Sequence, residues 1–410
     1  MKQIQLTITA ESPLAIGRRK PDGSVSEAEG YIPGTVIRGA IAAQILQQAN
    51  PEANDLTENG GDFQALFLSE AAAIFRNAYP CLTTINDKPT IQSDVRVLPT
   101  TAVSSKTDPG FKPKGNGVFD TLLDRFCASA CGHLYDPNCP KDAGRVEPYS
   151  GFYSQSGNTY FSHSVDRKLL TRVGINRRRA TAEEQVLYSI EVLTEAQGKD
   201  KHPATYHSAI LIQNDALAKL LEQYINQHSF RLGGSASRGL GKVKIQARTE
   251  DAKHSVKERV SAFNSALKDR WQKWSVFGDS QNHDVRDRTF FTLNLQSDAI
   301  LSENWQRTTV LSPEMLCELC EVDDPNLQLE VAYTSYDYRS GWNAAWGLMK
   351  DTELVTNSGG LYLFSTQDQA LWLPALQALE LRGIGDRTTE GFGQIRVCDE
   401  FHLVFREQAV

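Results

Sequence analysis

From Lys2 to Ala10 the apolar residues Ile4, Leu6 and Ile8 take every second position, the period of a strand with one buried face. A stretch at 12–30 carrying Gly17, Pro21, Gly23 and Gly30 reads as a long loop. The turn Ile32-Pro33-Gly34-Thr35 leads from it into 36–48, where Ile37, Ile41 and Ile45 recur every four residues as on one side of a helix. Residues 63–79 and 206–213 read as strand-rich, the first with some helical character, and 215–228 spaces Leu217, Leu220, Leu221 and Tyr224 as an amphipathic helix. A glycine-rich loop, Arg231-Leu232-Gly233-Gly234-Ser235-Ala236-Ser237-Arg238-Gly239-Leu240-Gly241, then enters a predicted strand at 242–247.

The same order returns near the end of the chain. An apolar helical stretch at 373–381 runs into Arg382-Gly383-Ile384-Gly385-Asp386-Arg387-Thr388-Thr389-Glu390-Gly391-Phe392-Gly393 and then a strand at 394–397. Aligning Gly239-Leu240-Gly241 with Gly391-Phe392-Gly393 gives an offset of 152 residues, about one domain length, so the chain predicts two related domains. The second should open with a strand at Thr289–Leu295. Between the two, Val256, Val260, Phe263, Leu267, Trp271 and Trp274 form one apolar stripe on a helix, which either packs on a domain core or docks a partner.

Composition narrows the function. The 410 residues suffice for two or three domains, and 43 Lys and Arg against 50 Asp and Glu leave a formal charge of −7. A broadly cationic nucleic-acid binder is excluded, and any polyanion site must be a local patch. The absence of a signal-like or membrane-length apolar run predicts a soluble cytoplasmic protein. Seven cysteines in that setting imply reduced thiols or a metal site rather than a disulfide framework.

Glycine loops let a backbone approach a ligand closely and present N–H groups to phosphate. Both loops follow a helix and precede a strand, the reverse of the dinucleotide and P-loop order, so no nucleotide cofactor is expected. With Arg231, Arg238, Lys242 and Lys244 beside the first loop and Arg382, Arg387 and Arg396 beside the second, a polymeric phosphate backbone fits better. The alternative is that the glycines only permit tight packing turns. Residues 163–179 concentrate Arg167, Lys168, Arg172, Arg177, Arg178 and Arg179 against the single Asp166, either a solvated face or an RNA groove. Tyr333 to Trp346 interleaves aromatics with Arg339 and Gly341, so that Tyr338 or Trp342 is a candidate for base stacking and Arg339 for a phosphate contact, unless the rings build a core. Cys127, Cys131, His133 and Cys139 make a candidate structural zinc site, with imperfect spacing and Cys81 as an alternative fourth ligand. Cys317 and Cys320 lie on a predicted helix, where packing is the simpler role. His163 is a lone histidine beside the basic run, a structural residue or an RNA contact before it is a general base.

The opening strand, the segment Tyr31-Ile32-Pro33-Gly34-Thr35-Val36-Ile37-Arg38-Gly39-Ala40, the segment Phe75-Arg76-Asn77-Ala78-Tyr79-Pro80 and the two glycine loops resemble the RAMP superfamily of CRISPR effector subunits, nearest the type III-D RAMP subunit. The resemblance implies an α+β chain of two ferredoxin-like (RRM-like) domains with loop insertions. An N-terminal domain would span 1–248 with the zinc-binding segment, a helical linker 249–287, and a C-terminal domain 288–410. It further implies a subunit that holds the CRISPR RNA, at its 5′ repeat-derived handle, inside a complex with target RNA and other type III effector subunits. The RNA-contacting candidates are then Arg38, the basic run, the first loop through Gly233, Gly234, Ser235, Ser237, Arg238, Gly239 and Gly241, and the second through Gly383, Gly385, Arg387, Gly391 and Gly393. Relatives that cut target RNA use a metal-assisted Asp in the loop after the first strand. Asp22 is the positional candidate here for such an endoribonuclease activity, although the surrounding pattern is not reproduced.

Overall fold

The computed structural model describes all residues except 19–26, 49–55, 57–59, 86–87, 177–180, 199, 253–254, 279–284, 286 and 344–346, and at 18, 85, 174–176, 181–187 and 342–343 the backbone alone. The fold is mixed α+β, with several small antiparallel sheets and helices.

The opening strand Lys2–Ala10 lies at the centre of the first sheet, whose order is Phe230–Arg231, Lys242–Asp251, Lys2–Ala10, Thr205–Ile212 and Ile74–Phe75, with Tyr79–Pro80 also on Thr205–Ile212. Every pairing is antiparallel, and Ile8 sits opposite both Tyr206 and Ile245. The alternation read from the sequence is realised: Ile4, Leu6 and Ile8 are fully buried and pack with Ile37 and Ile41 of helix Gly34–Gln48 and with Leu217, Leu221 and Ile225 of helix Asp215–Gln227. Asn214 starts the latter helix by accepting the N–H groups of Ala216 and Leu217. Residues 63–79 are less strand-rich than their composition suggested. Phe63, Leu66 and Phe67 are spaced for a helix, Gly61–Phe67, and the Phe67 ring stacks on Phe75 at 5.6 Å.

The second sheet runs Gln328–Tyr333, Leu361–Thr366, Thr289–Leu295 and Ile395–Val397. It is covered on both faces, which is why its central strands are buried almost throughout, polar Thr292, Asn294, Ser365 and Thr366 included. Adjacent residues of one strand show the two sides: Phe291 meets Trp372 of helix Gln369–Arg382, while Phe290 meets Phe126 of helix Leu122–Ala130. The apolar stripe of helix Val256–Trp274 lies in this same core, with Val256, Val260, Phe263 and Leu267 buried.

A long insertion separates Tyr79–Pro80 from Thr205–Ile212. Part of it forms a third core in which Val103, Phe119 and Tyr153 pack with Phe401 and Val404 near the end of the chain. Its helix Leu122–Ala130 belongs to the second core, so residues early in the sequence complete the later half of the molecule. The two halves also meet directly. Arg76 donates to the Glu380 carbonyl, and Gln296 accepts both the Tyr79 hydroxyl and, through its side chain, the Val97 N–H. No helix among the described residues is long and apolar enough to cross a membrane.

Candidate nucleic-acid interface

The two glycine loops are one backbone built twice. Ser235 and Arg387 are both left-handed (φ 58°), each opens a short 3-10 turn, Ala236–Arg238 or Thr388–Glu390, and each turn closes on a left-handed glycine, Gly239 at φ 83° or Gly391 at φ 96°. Gly241 and Gly393 (φ 86° and 63°) pass so close to the Leu232 and Ile384 carbonyls that an added Cβ would lie 2.6 and 1.8 Å from their oxygens. Glycine is required there by the turn itself.

The loops are also held in the same way. In the first half Gly241 donates its N–H to Pro13 and Gly234 to Ala15, while Leu14, between them, exchanges two hydrogen bonds with Leu193 at the root of the long ribbon Arg167–Asn176 and Thr181–Leu193. In the second half Gly393 donates to Asp298 and Asp386 to Ile300, while Ala299 exchanges two bonds with Thr356 of the ribbon Tyr336–Arg339 and Glu353–Thr356. A three-residue segment after each first strand therefore carries a ribbon on one edge and a glycine loop on the other. Gly234, Arg238, Gly239 and Gly241 all donate their N–H groups to carbonyls of the protein itself. These four amides of the first loop are satisfied internally and are not free to meet an anion.

The surroundings of the two copies differ. Gly233, Gly234, Ala236, Ser237, Arg238 and Gly239 are exposed, and a Cβ at Gly239 would meet nothing within 4 Å. Arg238 reaches across to the ribbon, where its guanidinium lies 5.2 Å from the Tyr188 ring and donates to the Tyr188 hydroxyl. On the ribbon Arg167 is exposed, Lys168 pairs with Glu195 at 3.0 Å, and Arg172 is half-buried. Arg231, Lys242 and Lys244 are exposed, Arg231 donating to the Leu240 carbonyl and Lys242 pairing with Glu11. Lys168 and Arg172 lie on the ribbon face of Tyr188 and so share a surface with Arg238, whereas Arg167 is on the opposite face, 4.0 Å from Glu191. Arg177, Arg178 and Arg179 lie outside the described residues.

In the second copy the position of Arg238 is held by Glu390, which pairs with Lys350 on its own ribbon at 2.9 Å and with Arg387 at 2.6 Å. The Arg387 guanidinium also covers the Phe392 ring. This loop is docked against the first half: a Cβ at Gly391 would fall 2.7 Å from Asn77 Oδ1 and 2.9 Å from the Phe75 carbonyl oxygen. Gly383, Gly391 and Gly393 are buried and Gly385 is half-buried. Burial alone would raise the Glu390 carboxyl, but Arg387 and Lys350 outweigh it and hold it at about 2. A carboxylate depressed on folding contributes stability that is complete above about pH 4.5 and fades as the pH falls towards 2. Acidification through that window is expected to weaken the protein in urea unfolding, and Glu390→Gln should lose less on going from pH 7 to pH 3; an equal loss in both proteins would show that these pairs do not carry the effect.

Other expected site residues are placed differently. Arg38 is half-buried, donating to the Phe67 carbonyl at 2.5 Å. Along Tyr336–Arg339 the strand period turns Tyr336 and Tyr338 outward and Arg339 inward, where it pairs with Glu29 and, at 2.5 Å, with Asp298. Tyr338 and Arg339 therefore face opposite sides and do not share one nucleotide strand. The Trp342 side chain and Asp22 lie outside the described residues. Among the described residues no three His, Cys, Asp or Glu side chains gather so as to hold a metal ion. Cys127 points into the second core, where burial pushes its thiol up to about 12, and His133 bonds the Phe277 carbonyl. Burial likewise raises Cys320 to about 12, leaving a protonated thiol on helix Pro313–Cys320. His163 is buried against Ser154, and desolvation lowers it to about 4, which keeps it neutral. Sequence reasoning missed Tyr188 and Lys350, the ribbon partners of the two loops. The charge reversal from Arg238 to Glu390, however, was already visible in the 152-residue alignment.

A RAMP superfamily model matches residues 7–244. No curated protein matches the chain. Among solved structures, a chain of the type III-B Cmr-beta complex bound to cognate target RNA and AMPPnP is similar over 88% of this chain and 86% of its own, with 11% identity and a TM-score of 0.40. Oligomeric Cmr4 from Pyrococcus furiosus is similar over 61% of this chain and 99% of its own, with 12% identity and a TM-score of 0.26. Cas6 in a product complex is similar over 48% and 80%, with 13% identity and a TM-score of 0.28.

Proposed function

The chain belongs to the RAMP superfamily, and from that membership and the geometry of its first glycine loop we propose that it is an RNA-holding subunit of a type III CRISPR complex. It grips the CRISPR RNA across the surface shared by that loop and the long ribbon. The observation that carries the reading is the meeting of Arg238 with the ribbon at Tyr188, which joins two basic segments into one exposed surface on a protein of net charge −7. Its duplicate has the opposite charge at the matching position and is closed by protein. What supports two ferredoxin-like halves is that four strands of each sheet stand fourth, first, third, second, Phe230–Arg231 and Tyr79–Pro80 being additions at the edges of the first sheet. Both halves are read as such domains, and target RNA and neighbouring effector subunits as the partners of the assembled particle.

Phosphate contacts by side chains release counterions, so the affinity of the full chain for single-stranded RNA should fall steeply with salt, by about 0.7 in log–log slope for each phosphate neutralised. Replacing Lys168, Arg172 and Arg238 together by alanine is expected to flatten that slope by about 2 and to weaken binding at low salt. Filter binding across a salt series reads both quantities. An unaltered slope in the triple variant would remove the RNA strand from this surface.

A further inference from the structure

The hairpin Leu301–Glu303 and Gln306–Thr308 turns through two residues, Asn304 and Trp305, at φ 49° and 66°. Such a turn needs left-handed backbone at both positions, which asparagine tolerates and glycine adopts freely. A bulky side chain at the second position is a conformational outlier. The Trp305 side chain is also wholly uncovered, at 103% relative exposure. Neither property serves the packing of this chain. The stem beneath the ring is stiff: Ala299, Ile300 and Leu301 are fully buried, and Arg307 binds Asp386 and, at 2.8 Å, Glu353. An aromatic ring held out on a rigid stem loses little freedom on binding, as suits an interface anchor.

Beside the stem lies a cleft of about 340 Å3, between the hairpin root, helix Pro313–Cys320 and the second glycine loop. Met315 and Leu319 contribute apolar surface, and Glu318, Glu321 and Asp386 outnumber the single Arg382. We propose that Trp305 anchors this chain to a partner protein, the indole entering an apolar pocket whose Lys or Arg rim neutralises the acidic cleft. An exposed ring can also stack a nucleotide base, but with Asp386 paired to Arg307 the cleft still carries Glu318 and Glu321 against Arg382, the wrong sign for a phosphate chain. The inference does not depend on the RNA surface, which uses residues of the first half.

The test uses the complex purified from cells in which position 305 carries the photoreactive residue p-benzoylphenylalanine. Irradiation is expected to join it to another polypeptide, at an apolar site flanked by Lys or Arg, leaving the RNA unmodified. Crosslinks to RNA, to a second copy of this chain or to nothing would overturn the proposal. Trp305→Gly supplies the folding control, since glycine suits the turn. It should unfold thermally no earlier than the unsubstituted protein, bind the crosslinked partner at least tenfold more weakly and keep the same RNA salt slope. Undiminished partner affinity in a folded Trp305→Gly protein would equally refute the anchor.

Discussion

Replacing Arg339 with alanine is expected to destabilise the protein by about 3–5 kcal/mol, the range for removing one partner of a buried ion pair. Its guanidinium lies between Glu29, from the loop after the first strand of the chain, and Asp298, from the loop after the first strand of the second half. Both carboxylates are buried, at 7% and 4% exposure. Burial opposes the charge of Arg339, but Tyr31, Asp298 and Glu29 more than compensate and hold its pKa above the ordinary arginine value. The substitution leaves two buried carboxylates without the cation between them. Arg339→Lys should recover part of the loss, since a single ammonium keeps the charge but not the two-sided reach. Urea unfolding measures both, and a change below about 1 kcal/mol for alanine would show that water readily replaces the guanidinium. RNA affinity per folded molecule should not change, because this arginine faces inward.

A second large effect is expected from one substitution made at two matched positions. At Gly239 an alanine should cost about 1–2 kcal/mol, the strain of a left-handed L-residue alone, since its Cβ meets nothing. At Gly391 the same change adds a Cβ that presses on Asn77 Oδ1, already accepting the Gly34 N–H at 2.8 Å, and on the Phe75 carbonyl. Overpacking adds about 1–3 kcal/mol, for a total of about 2–5 kcal/mol. The difference between the two variants isolates the docking of the second loop on the first half. Equal losses would mean that the contact yields without strain.

Much of the frame is legible in the residues. The alternation of Ile4, Leu6 and Ile8, the four-residue steps of Ile37 and Ile41, and the offset between Gly239 and Gly391 locate the first sheet, its helix and the repeat because each is a local pattern. The fate of the second loop is not local. Whether Gly391 faces solvent depends on Phe75 and Asn77, more than three hundred residues earlier, and no periodicity records that approach. The aromatic stretch shows a related point: Arg339 and Tyr338 are adjacent in sequence, but strand geometry sends neighbours to opposite sides. The cysteines show the limit of spacing as a guide. Cys127 lies on a helix whose Leu122, Leu123 and Phe126 join a core assembled mostly from the distant half, a packing partner that cysteine spacing does not record.

The closure of the second loop has a consequence for avidity. A chain built from two like halves would ordinarily present its ligand with two sites in tandem, and the second contact would be strengthened by the first through effective concentration. Here one half has turned its copy into the joint between the halves, so on the RNA-holding reading proposed above the chain is bivalent in architecture but would meet a strand through one loop. On that reading, tight retention of a long polynucleotide would come from the sites of adjacent subunits acting in series.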